Sequence, residues 1–170
     1  MRRASATSPL ITRAALLVLL GLCMSACGYR LAGTAELPPQ MQSIYLVTSN
    51  FSEVQERELR RSLTAAGATL VEQADAGSVR LAVSMNALPD RQLVSSASSG
   101  ATVNRISRSL DFNVKSAAGE LLAAAQTLRQ QKDIALDDDN LLASNREREN
   151  IVLELEQSLF QQLVRQLTRI

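Results

Sequence analysis

The chain has no histidine and no tryptophan, and its aromatics are two tyrosines and three phenylalanines. Without histidine, the commonest general base and metal ligand is missing, which argues against an enzyme. So few aromatics cannot build a stacking platform for sugars or bases, so neither a carbohydrate cleft nor a nucleic-acid surface is expected. Neither sign of charge dominates: 18 Lys and Arg stand against 17 Asp and Glu, a formal net charge of +1. No bulk basic field is present to attract nucleic acid. There are only two cysteines, Cys23 and Cys27. No recognisable nucleophile motif accompanies them, and no catalytic residue is assigned.

What is present is concentrated first at the amino end. Arg2, Arg3 and Arg13 form a basic start, Ala14 to Leu22 form an apolar run, and small Ser25 and Ala26 lead into Cys27. The apolar run is too short for a spanning helix, which needs about 20 residues, and its layout is that of a cleaved signal. A cysteine directly behind the small residues makes it a lipoprotein signal, with Cys27 as the lipidation site and residues 1–26 removed. The third position before the cysteine, usually Leu, is Met24, an apolar side chain of similar size. Cys23 cannot serve, because bulky Leu22 precedes it. Removing residues 1–26 from the 170 leaves 144, enough for one domain. It also removes three arginines and no acid, so the charge falls from +1 to −2. Cys27 is then the sole cysteine and is acylated, which excludes disulfides and thiolate metal sites.

Residues 27–42, with two glycines and Pro38-Pro39, read as a lipidated start and an extended tether. Residues 43–170 read as a single domain. Ser43 to Val47 is a β-branched and aromatic strand. Ser52 to Gln55 fits a capping box opening a helix that runs to about Ala66, where Gly67 ends it in a left-handed turn. Val79 to Ala87 alternates apolar and polar residues. Pro89-Asp90 interrupts it, and Arg91 to Ala97 resumes as a weaker strand before a serine-rich turn through Gly100. Thr102 to Lys115 is a long strand with Ile106, Leu110, Phe112 and Val114 on one face. Ala117 to Glu120 turn the chain into a last strand, Leu121 to about Lys132, in spite of the helix propensity of its alanines. Asp137-Asp138-Asp139-Asn140 is a solvated turn, since EF-hand ligand spacing and glycine are absent. From Leu142 or Ser144 a helix runs to Arg169, with Ser144 and Glu147 matching a second capping box and a Leu155–Leu159–Leu163–Leu167 stripe.

The expected fold is therefore α+β, two helices packed on one face of a mainly antiparallel four- to five-stranded sheet. Its other face is expected to be polar, with Arg91, Arg105, Arg108, Arg129 and Lys132 near or along the hairpins. The carboxylate pairs Glu53/Glu56 and Glu154/Glu156 sit on helix faces rather than in a cleft.

Cys27-Gly28-Tyr29-Arg30-Leu31 followed by a proline-containing linker resembles the mature start of the LptE family of LPS-assembly lipoproteins. In that family a lipidated cysteine is followed by Gly, an aromatic, a basic residue and Leu. The order of strand, Arg-containing helix, meander and terminal helix also agrees. The resemblance implies an outer-membrane lipoprotein, lipid-anchored on the periplasmic side, that plugs the LptD β-barrel and assists delivery of lipopolysaccharide to the surface. It implies no cofactor, no metal and no catalysis. The family's basic lipopolysaccharide-contact positions fall on Ser98 and Ser144 here, so that assignment does not carry over. The neighbours Arg91, Arg105 and Arg146 are the candidate substitutes. Two other classes fit the residues: a lipid-anchored adaptor of another envelope machine (a secretin or barrel-assembly accessory), and a periplasmic lipoprotein enzyme, which the missing histidine disfavours.

The leader makes one directly measurable statement. Intact-mass analysis of the mature protein is expected to show a cut before Cys27 and added acyl mass. With about 0.8 kcal/mol per buried methylene, three acyl chains hold it on a membrane permanently. A soluble product with free Cys27 overturns the reading.

Overall fold

Ser43–Ser49 forms the first strand, β1, as its β-branched residues lead one to expect. A computed structural model describes residues 36–95, 101–137 and 141–170. Residues 1–26, Cys27, the run Gly28 to Leu31, the serine-rich turn with Ser98, and Asp138 to Asn140 lie outside the described residues. The end of the expected tether is already part of the core. Leu37 and Met41 are buried, and Pro39–Met41 makes one 3-10 turn. The Leu37 amide donates to the Ala66 carbonyl (3.0 Å).

Helix α1, Glu53–Ala65, starts on a complete capping box: the Gln55 amide donates to Ser52 Oγ, and the Ser52 amide donates to Gln55 Oε1. It ends as its sequence dictates. Gly67 takes φ +90°, which lets the amides of Gly67 and Ala68 reach the carbonyls of Thr64 and Leu63. The chain then enters a three-residue strand, β2 (Thr69–Val71), parallel to β1. This strand was not expected. Three residues carry no readable alternation, and their partner lies a whole helix away in sequence.

β3 (Val79–Ala87) also runs parallel to β1 and antiparallel to the long β5 (Ala101–Lys115). β4 (Arg91–Ser95) pairs with β5 as well. β3 faces Arg108 to Lys115 and β4 faces Thr102 to Arg105, so the two lie in line along one edge of β5, broken at Pro89-Asp90. β6 (Leu121–Asp137) pairs with the opposite edge of β5, and its helix propensity yields to that pairing. The strand is longer than expected, because alternation continues through Ile134. The fold is α+β with a six-stranded mixed sheet, the sixth strand being β2 and the parallel pairs being those of β1.

Helix α2, Leu141–Leu167, begins three residues before Ser144. Ser144 is thus a buried helical residue rather than a cap, and the second capping box is not formed at that position. Leu159, Phe160, Leu163 and Leu167 of α2 join Leu59 and Leu63 of α1 on Ile44, Leu81, Leu110 and Phe112 of the sheet. Both helices therefore cover one face. At 27 residues α2 is roughly 40 Å long, about twice α1. Its first half covers a second cluster alone, Ile106, Ile134, Ile151 and Leu155.

Leu159 is fully buried, whereas Gln161 and Arg165 are exposed. Leu159→Ala is expected to cost about 2–5 kcal/mol in denaturant unfolding. Alanine at Gln161 or Arg165 should cost under about 0.5 kcal/mol. Equal losses at both sets would mean that α2 turns another side to the sheet.

Candidate functional site: the polar sheet face and its buried counterpart

Strand alternation sends successive side chains of β5 to opposite faces. Ile106, Leu110, Phe112 and Val114 enter the core, so Arg105, Ser107, Ser109, Asp111 and Asn113 fall on the face away from the helices. Cross-strand bonds tie that face together. Asp111 accepts from Asn86 Nδ2 on β3 (2.8 Å) and from Thr127 Oγ1 on β6 (2.5 Å), spanning three strands. Further along, Arg105 donates through Nε and Nη2 to both oxygens of Asp133 on β6 (2.7 and 2.8 Å). This two-pronged pair raises the guanidinium further and holds the Asp133 carboxyl below its usual range, chiefly through the hydrogen bonds. Beyond Asp111, on the side away from Arg105, lies a shallow, open depression of about 250 Å³ lined by Ala82, Ser84, Asp111, Asn113 and Ala125. Small side chains leave the face flat.

Arg91 stands directly opposite Arg105 in the β4–β5 register, on the same face, with no carboxylate partner among the described residues. The two arginines are thus neighbours. Arg146 is not with them: it is exposed on α2, which covers the opposite face. Arg129 is outward as expected. Lys132 and Arg108, expected on the polar face, are on the helix side. Lys132 is opposite Ile106 in register and donates to Glu154 of α2 (2.6 Å). Arg108 shares its parity with Ile106 and Leu110, which places it under α2.

Arg108 is 8% exposed and Glu156 of α2 is 5% exposed. Arg108 Nε lies 3.7 Å from Glu156 Oε1, and that oxygen also accepts from Gln55 Nε2 of α1 (2.7 Å). Arg108 Nη1 donates to the Ser107 carbonyl (2.9 Å). Sheet and both helices therefore meet at one buried carboxylate. The Glu154/Glu156 pair is split, one member in solvent and one in the core. Glu56 bonds Arg60 (2.9 Å) and accepts from Thr48 Oγ1 (3.3 Å). This polar junction was missed in sequence, although the signal was there: Arg108 is at an inward parity and Glu156 interrupts the apolar stripe. Above it runs an open groove of about 400 Å³ between α1 and α2, rimmed by Val54 and Leu153. Among the described residues no cluster of acidic or cysteine side chains could hold a metal. The surface can bind by shape, hydrogen bonds and charge.

Removing one member of a buried ion pair leaves the other charge uncompensated. Glu156→Leu is expected to cost about 3–5 kcal/mol in urea unfolding. The double variant Arg108→Met/Glu156→Leu should recover most of that loss. A double variant as unstable as the single would mean that Arg108 makes no demand on Glu156.

Comparison of the sequence with protein-family models and with curated proteins finds no match. Solved structures do match in fold. A minor lipoprotein from Acinetobacter baumannii superposes with a TM-score of 0.60 at 17% identity, covering 78% of this chain and 94% of that one. An uncharacterized lipoprotein B from Nitrosomonas europaea gives 0.65 at 22% identity, covering 83% and 90%. The rare lipoprotein B from Shewanella oneidensis gives 0.54 at 18% identity, covering 75% and 91%. The α+β domain is thus a fold that solved bacterial lipoproteins also adopt.

Proposed function

We propose that this chain is an LptE-type lipoprotein of the outer membrane, anchored through Cys27 on the periplasmic side. In this reading it is a non-enzymatic plug of an LptD-type β-barrel and assists lipopolysaccharide assembly at the cell surface. The observation that carries the reading is the run Cys27-Gly28-Tyr29-Arg30-Leu31 at the head of a domain whose fold is that of solved lipoproteins. The division into a cleaved leader, a lipidated tether and one domain belongs to the same reading.

Physical chemistry supports it. A body lodged inside a barrel meets a polar lumen. The flat face of β3, β5 and β6, held by Asp111 and by Arg105–Asp133, is polar and cross-tied. Such a face matches a polar wall without rearranging. For the anionic lipopolysaccharide headgroup, the neighbouring pair Arg91 and Arg105 is the better contact. Arg91 is the freer of the two, since Arg105 already holds Asp133. Arg146, on the opposite face, lies apart from that pair.

The deciding experiment is purification of the lipidated protein from detergent-solubilised membranes. An LptD-type barrel is expected to come down with it, and depletion of the protein should leave the barrel misassembled and the cell permeable to large antibiotics. Recovery of a secretin or a barrel-assembly complex instead would assign the chain to that machine. For the ligand, Arg91→Glu/Arg105→Glu should weaken binding of purified lipopolysaccharide, more so at low salt. Unchanged binding after Arg146→Glu is added to that pair removes direct contact.

A further inference from the structure

Among the described residues β6 is the outermost strand of the sheet. It pairs with β5 and, among the described residues, with no strand on its other edge. An open edge is a row of unpaired backbone donors and acceptors, and proteins blunt such edges by keeping them short, by bulges or by proline. β6 is irregular against β5 only between Leu121 and Gln126, and it is neither short nor interrupted by proline. It runs for 17 residues without proline or glycine, and its register with β5 is unbroken from Gln126 to Asp137. Its charges need not block pairing, because their spacing makes them complementary to themselves.

We propose that this edge pairs antiparallel with β6 of a second copy of the chain, about a two-fold axis through Gln131. In that register Arg129 of each copy faces Asp133 of the other, and both pairs lie on the polar face. Leu128 faces Ile134 on the helix side, and Gln130 faces Lys132. Only integral centres keep each residue opposite one of the same face. The adjacent centres are worse: an axis at Gln130 sets Leu128 against Lys132, and one at Lys132 sets Ile134 against Gln130. Eleven residues pair in each copy, over roughly 36 Å. Asp133 keeps Arg105 and gains a second guanidinium. This inference does not rest on the barrel reading and concerns copies not lodged in a barrel, since it uses only the edge and its register.

The test is disulfide trapping in the full-length lipoprotein, in membranes under mild oxidant. Gln131→Cys places two thiols on the axis, with Cβ atoms about 5 Å apart. Thr127→Cys places them about 27 Å apart in the same dimer, eight residues offset along the strand. Gln131→Cys should give at least tenfold more crosslinked dimer than Thr127→Cys. Co-expressed Thr127→Cys and Ala135→Cys chains should crosslink to each other, because those positions face one another. Adding Arg129→Asp to Gln131→Cys should abolish trapping, and co-expression with an Asp133→Arg/Gln131→Cys chain should restore it. Equal trapping at Gln131 and Thr127, or none at Gln131, overturns the proposal. Capture of a different protein at Gln131→Cys overturns it too and gives the edge to a foreign strand. None of these failures would disturb barrel co-purification of the wild-type chain, so the two readings fall separately.

Discussion

The alternation of β5 is the constraint on which the rest of the molecule depends. Three strands hydrogen-bond to it, β3 and β4 in line on one edge and β6 on the other. Every side chain on one face must be apolar or individually satisfied, because two helices close over it. Every side chain on the other must tolerate whatever the helices leave uncovered. Ile106, Leu110, Phe112 and Val114 meet the first demand by burial. Asp111 and Arg105 meet the second by bonding across to neighbouring strands. One strand thus decides both the core and the polar face, and a one-residue slip would exchange them.

Arg108 is the exception in that pattern, and it explains how the helices are placed. Hydrophobic contact fixes that α2 lies on the sheet, but leucine stripes slide with little penalty. A charged group under the helix does not slide. Glu156 must reach Arg108, and Gln55 of α1 must reach Glu156, so all three elements are keyed to one point. Burying such a pair is seldom a net source of stability. It adds a directional constraint that the apolar stripe from Ile151 to Leu167 does not itself carry.

Local signals in the sequence carried most of this architecture. Ser52 with Gln55, Gly67, the alternation of β3 and β5, and the turn before Leu121 each act within a few residues, and each appears where expected. Pairings made at a distance were not legible. β2 is three residues long, and its strand character comes from β1, reached only across α1. The parallel run of β1 beside β3 has the same origin, so a mixed sheet looked more antiparallel than it is. The start of α2 shifted because Ser144 and Glu147 make a good box on paper, while Leu141 and Leu142 prolong the helix ahead of it. For the site, Arg105 and Arg91 were legible as outward arginines, but their adjacency required the register across β4 and β5. Arg108 and Lys132 were misplaced because charge was weighed above parity. Where a strand is long and regular, parity wins.

The polar face also has a chemical property that follows from what the chain lacks. Histidine is the side chain whose ordinary pKa falls between pH 5 and 8, and there is none. The ionic tie on the face moves further from that window. Arg105 is raised above its usual value and Asp133 is lowered below its own, each mainly by their shared hydrogen bonds. A carboxyl with a depressed folded pKa stabilises the fold fully above its unfolded value. That contribution is lost only as pH falls through the folded value. The Arg105–Asp133 tie is therefore constant around neutral pH, and it weakens only in acid below the ordinary aspartate range. The face therefore keeps the same pattern of donors and acceptors over that range. Arg105 and Asp133 thus give the face fixed charges, and the bonds of Asp111 to Asn86 and Thr127 give it fixed hydrogen bonds.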